Sequence, residues 1–256
     1  VGREGNGQYG ETLNGVQRTR SMKNQFNKAV DPYLIRGDSS SGLLSRITSE
    51  HPREDGTSDL KVQAYTYRLC LTKVEENRLP FPQPEGYEPK EYELLLRSLD
   101  TTFINIFDKF DPFPNAKSVS KSQGGFSTDN IGMNYGYPDG SYQERRDIIA
   151  EHERYQKGYF YFLSSDPRVP ESIRSVVSKW GLAKDEFVEN GHWPEQLHVR
   201  EARRMVSNFV MTEHEVTGRR LCKKSIGMGS YLIDSHHVQR FVTKNKEGRS
   251  HVENEG

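Results

Sequence analysis

Arg200, Arg203 and Arg204 stand three and four residues apart in the run LHVREARRMVSNFVMTEHEV. On a helix that spacing places three guanidiniums on one flank. Three planar forks of donors attract a carboxylate, a phosphate or a pyrophosphate. The commoner outcome for such a trio is a solvated face, with Glu201 and Arg204 pairing locally. A second group lies in NGHWPEQ, residues 190–196, where a turn dipeptide precedes His192 and Trp193. A loop histidine beside a tryptophan can move a proton or stack a ring-shaped ligand, and the same residues equally make a turn with Trp193 anchored in the core. In QAYTYRLCL, Tyr65 and Tyr67 point to one face of an extended chain while Arg68 and Cys70 point to the other. Either face can line a pocket, although a sheet core with an edge arginine is the commoner arrangement.

A fourth group is SIGMGSYLIDSHHVQRF, residues 225–241. Gly227 and Gly229 begin a G-x-G pattern, but the third glycine of the dinucleotide fingerprint would fall on Leu232, and no Lys-Ser/Thr pair follows as a Walker loop requires. His236 and His237 are adjacent and face opposite ways on a strand. With Asp234 alone nearby they form a poor ligand set, so no metal is expected. The residues predict a strand ending at Asp234 and a loop that faces a ligand.

The elements expected to position these groups alternate between strand-like and helix-like periodicity. LKVQAYTYRLCLTK, residues 60–73, is β-rich and free of Gly and Pro, which predicts a strand. The prolines at 80, 82, 84 and 89 predict an extended crossing that ends in a helix begun by Pro89. Ser141 and Glu144 match a capping box at the head of the longest helix, 141–163. A further helix is predicted near 168–180, ended by Gly181. Another is predicted over 198–211, with Val199, Ala202, Val206, Phe209 and Val210 as its buried stripe. The expected fold is therefore α+β: a small, mostly antiparallel sheet containing 61–72 and 225–234, packed with several helices. Residues 1–60 and 111–140 read as loop.

Composition excludes several classes. The 256 residues carry 36 basic and 36 acidic side chains, a formal net charge of zero, which argues against a general nucleic-acid binder. No apolar run reaches the roughly 18 residues of a membrane span. Cys70 and Cys222 lack CxxC spacing and read as isolated thiols. The apolar fraction of 33% is low, which suggests long loops or a core shared with something else.

Several segments together resemble one family, the FAD-dependent oxidoreductases of the glutathione-reductase-like type, some of whose bacterial members carry a xanthan-lyase label. They are VGREGNGQYGETLNGVQ, VQAYTYRLCLT, ENRLPFPQPEGYEPKEYELLLR, STDNIGMNYGYPDGSYQERR, the long run 161–216 and SIGMGSYLIDSHHVQR. The resemblance covers most of the chain and is most specific over 161–216. It departs from the family in lacking the N-terminal strand, Gly-rich turn and helix that hold the ADP part of FAD. The expectation is a substrate or cap region, 1–256, whose ends (about 1–20 and 225–256) abut a FAD-binding domain of the same protein. The implied reaction is hydride transfer between FAD and a small organic, carbohydrate-related substrate. In that scheme His192, His236 or His237 is the base. Arg200, Arg203, Arg204, Gly229 and Ser230 face the cofactor, and Tyr65, Tyr67, Arg68 and Trp193 form the substrate walls. Two other classes remain open on the residues. One is a polysaccharide lyase using a Tyr or His base with Arg neutralising a uronate; the other is a non-catalytic carbohydrate-binding module.

Overall fold

The computed structural model describes every residue except 1–2, 6, 19–23, 100–106, 108–109 and 232–233. The elements follow the order β1 (Cys70–Thr72), β2 (Arg78–Leu79), α1 (Glu93–Ser98), β3 (Asp111–Phe113), β4 (Lys117–Val119), α2 (Tyr142–Ser165), α3 (Glu171–Val177), β5 (Gly181–Ala183), α4 (Glu213–Val216), β6 (Gln239–Lys244) and β7 (Ser250–Glu255). Five short strands form one sheet in the order β2-β5-β1-β4-β3. Every pairing in it is antiparallel, with Leu71 opposite Ser118 on one side and Leu182 on the other. β6 and β7 make a separate hairpin, with Phe241 opposite Glu253. The α+β expectation with a mostly antiparallel sheet holds.

α2 begins where the capping signature places it. The Ser141 side chain accepts from the Glu144 amide, and the Glu144 carboxylate accepts from the Ser141 amide at 2.6 Å. Its C-terminal half buries Tyr155, Tyr159, Phe160, Phe162 and Leu163. These rings meet an aromatic layer: Phe160 stacks on Phe81 with centroids 4.7 Å apart, and Tyr92 stacks on Phe162 at 5.4 Å. Gly158 lets Tyr92 close onto the helix, since a Cβ there would lie 2.1 Å from the Tyr92 hydroxyl. That hydroxyl donates to the Tyr155 carbonyl at 2.9 Å. Gly158→Ala is accordingly expected to cost about 1–3 kcal/mol through overpacking, read as a lower urea midpoint, although alanine is the better helix former.

Four expectations need correction. The run 60–73 is extended, but only Cys70–Thr72 joins a ladder of two strands or more. Upstream, its amides go to side-chain acceptors: Gln63 to the Glu201 carboxylate, Tyr67 to the Gln156 amide oxygen, Leu69 to the Ser120 hydroxyl. Residues 198–211 form no helix. His198 bridges to Thr66 as an antiparallel partner, and the amides of Arg204 and Ser207 go to Glu4 and the Tyr9 hydroxyl. β-branched Val199 and Val206 and three like charges on one helical flank disfavour the helix. The intended stripe is in water instead, with Val206 and Phe209 exposed. The strand expected at 225–234 is likewise absent: its described residues pair with nothing and lie exposed, and Leu232 and Ile233 fall outside the described residues. The ladder of this region starts later, at Gln239. Finally, the helix near 168–180 is shorter, and Gly181 opens β5; a Cβ there would come within 2.0 Å of the Leu79 carbonyl.

Candidate functional site

The backbone around Asp129 comes from a loop that leads toward α2. Asp129 sits on it with its side chain only 6% exposed. Two of the sequence candidates converge on this carboxylate. His236 Nδ1 lies 2.6 Å from Oδ2, and Arg200 Nη2 lies 3.2 Å from Oδ1. An ionised carboxylate only accepts, so Nδ1 carries the proton and donates. The other ring nitrogen is Nε2. It faces the exposed Asp234 at 3.7 Å. The backbone here is tied down as well, because the His236 amide donates to the Gln63 side-chain oxygen at 2.7 Å.

The charges in this cluster are perturbed together. Burial pushes the Asp129 carboxyl up, but the Arg200 charge and the His236 hydrogen bond outweigh it and hold it below the usual carboxylate range. Burial lowers Arg200, and Asp129 offsets this only in part. His198 lies beside them and is lowered by burial, then by Arg200 and Arg68. Glu201 is pushed up by burial while accepting from Gln63. Burial, followed by the Glu201 charge, raises the Tyr65 phenol to about 12. Its hydroxyl donates to the Glu201 carbonyl. Arg200 also keeps Nε and Nη1 buried without a hydrogen-bond partner among the described residues. A guanidinium has five N–H donors. With Nη2 donating to Asp129, one edge of Arg200 carries donors that no described residue accepts.

The remaining candidates go elsewhere. Arg203 pairs with Asp139 at 2.8 Å and lines a concavity of about 380 Å3 together with Arg3 and Arg53. Arg204 pairs with the buried Glu11 at 2.8 Å. The common flank expected for the three arginines needs a helix; along an extended chain they fan out to three different carboxylates. His192 has φ +65° and turns its Nδ1 to the Glu186 carbonyl at 3.2 Å. His237 is buried at the start of the hairpin, where its carbonyl accepts from Ala64. Tyr67 packs edge-on to Trp193 with centroids 5.4 Å apart, and both are buried, so these rings make core. Arg68 is exposed and acts on the cluster only through its charge. Gly229 and Ser230 lie on the exposed stretch before Asp234. Among the described residues no group of three or more His, Cys, Asp or Glu side chains could hold a metal, and no helix is long and apolar enough to cross a membrane. Both cysteines are free thiols.

Asp129 itself escaped the sequence reading. It is 71 residues from Arg200 and 107 from His236, so no local spacing announces it. The sequence profile of the family described as FAD dependent oxidoreductase matches residues 1–256. The chain belongs to this family. FAD is the family's cofactor, and the mixed α+β architecture is the framework on which this member presents its Asp129 cluster. No curated protein and no solved structure matches the chain.

Whether the described residues fit FAD differs between its two ends. The pattern Gly5-x-Gly7-x-x-Gly10 does occur literally, a spacing the sequence reading passed over. All three glycines have positive φ, between +76° and +96°. The segment folds as turns, with no helix after it among the described residues, so no helix N-terminus there faces a pyrophosphate. A Cβ at Gly7 or Gly10 would meet nothing within 4 Å, which is not a cradle. The described residues therefore do not fit the ADP half. At the Asp129 cluster the described residues offer an imidazole and guanidinium donors without acceptors, the kinds of group that a flavin's reacting end would use. Excess FAD added to the 256-residue chain is accordingly expected to wash away on desalting; a stoichiometric visible flavin band after the column would place a cradle we do not find.

Proposed function

We propose that the Asp129–His236 pair is the acid–base unit of a flavin-dependent oxidation of an alcohol carbon in a small organic, carbohydrate-related substrate. The observation that carries this reading is the 2.6 Å contact that holds Nδ1–H on Asp129 and so turns Nε2 away from it. When bound, FAD supplies the hydride acceptor. The chain's own residues handle the proton. Nε2 of His236 takes the substrate hydroxyl proton as the C–H bond yields its hydride, so the alcohol becomes a carbonyl. Asp129, kept ionised by Arg200, steadies the imidazolium that forms. The open edge of Arg200 stabilises negative charge on the reacting oxygen. His198, lowered by burial and by two arginines, stays neutral beside the pair and adds no competing charge.

The reading is supported by membership of the family and by the convergence of a carboxylate, an imidazole and an under-used guanidinium on one point. It is tested by anaerobic mixing of the chain, excess FAD and a panel of aldoses, polyols and hydroxy acids. At least one should bleach the visible flavin band, and His236→Gln should bleach it far more slowly. Equal bleaching by the variant sinks the assignment. An unsaturated uronate product formed from a polysaccharide without flavin would replace it with elimination.

A further inference from the structure

A second site lies away from the Asp129 cluster. Tyr9, Phe209, Val210, Leu221 and Cys222 help to line a concavity of about 550 Å3. That volume falls within the usual range for small-molecule pockets. Its walls are braced. The Tyr9 ring lies under the Arg204 guanidinium at 4.8 Å, and its hydroxyl accepts from the Ser207 amide at 3.1 Å. Across the cavity, α4 begins with a capping box between Thr212 and Glu215.

The charges at this cavity do not cancel. Glu215 and Arg220 form an ion pair with each other, which removes both from the account. Lys223 and Lys224 are left, both exposed, with no ion-pair or hydrogen-bond partner among the described residues. The cavity thus presents apolar walls and an uncompensated charge of two lysines. Phe209 and Leu221 remain largely in water, Leu221 at 81% exposure, and gain only when something apolar covers them. A purely apolar ligand leaves the lysines unused, and a small inorganic anion leaves the walls wet.

We propose that this cavity binds an amphipathic monocarboxylate: an apolar chain or ring that lies against Phe209 and Leu221 and carries one acid group held by Lys223 and Lys224. The site is independent of the oxidation chemistry above and takes a different class of ligand from a neutral polyol.

Cys222, partly buried in the cavity wall, reports occupancy, and Cys70 in β1 serves as an internal reference. The 256-residue chain is alkylated with iodoacetamide in the presence of dodecanoate, below its micelle-forming concentration, and both cysteines are followed by peptide mass. Dodecanoate is expected to slow Cys222 saturably and to leave Cys70 unchanged. Dodecanol, with the same chain and no charge, is expected to need at least about tenfold more for half protection, the worth of one charge-assisted contact. Lys223→Ala/Lys224→Ala, which alters only exposed side chains, is expected to erase that difference. Failure to protect Cys222 overturns the proposal. So does equal protection by dodecanol, equal slowing of Cys70, or a preference for dodecanoate that survives removal of both lysines.

Discussion

His236→Ala is expected to lower kcat/KM for the flavin-dependent oxidation by about 10²–10⁴, the usual worth of a positioned general base. The ring is largely buried, its side chain 15% exposed, so its removal leaves a ring-sized space beside Asp129 and some loss of stability, and turnover is to be compared well below the variant's own melting temperature. The loss should then appear in the turnover of the folded variant. An external imidazole, added in excess, should restore part of the rate by entering the space the ring vacates. Arg203→Ala provides the contrast: its partner Asp139 is 65% exposed, and breaking a surface pair of this kind changes little. If His236→Ala retains more than about a tenth of wild-type kcat/KM, a general base elsewhere must carry the step.

Asp129→Ala is expected to cost about 3–5 kcal/mol of folding stability, because it removes the carboxylate that the buried Arg200 hydrogen-bonds and leaves only the weaker influence of Glu201 and Asp234. The effect has a sign in pH. The Asp129 carboxyl is lowered in the folded chain, so its contribution is fully present above the unfolded value of about 3.9 and is lost as pH falls through the lower folded value. Urea midpoints measured from neutral pH into the acid range should show wild type and Asp129→Ala converging as the pH drops below about 3.9. Arg200→Met should rescue much of the loss in the Asp129→Ala background, since it removes the stranded charge and keeps apolar volume. A cost under about 1 kcal/mol at neutral pH, with no convergence in acid, would show that the two side chains are not paired in a dry environment.

What the sequence made legible is what is decided locally. The α2 boundary is written in Ser141 and Glu144, three residues apart, and the aromatic face follows from helical spacing within the same element. The alternation expected from Tyr65 to Arg68 does not appear in burial, where Ala64, Tyr65, Thr66 and Tyr67 are all buried and Arg68 is exposed. What failed depends on partners far along the chain. The 198–211 segment has helical spacing, yet Thr66, Glu4 and Tyr9 claim its amides from well over a hundred residues away. The site shows the same division. Arg200 and His236 could be nominated by residue type, whereas the carboxylate that makes them a unit has no signature in its own neighbourhood.

The sheet also determines how the molecule can meet its neighbours. Its two outer strands are β2, only two residues long, and β3, where Pro112 removes an amide and every residue is exposed. Neither offers a row of unpaired donors and acceptors long enough to template a further strand. The five-stranded sheet is thus poorly suited to strand-by-strand growth at its own edges, β2 and β3. The stretch between Met205 and Tyr231 carries several wet apolar side chains, and self-association through them should be amorphous, reversible and relieved by mild detergent.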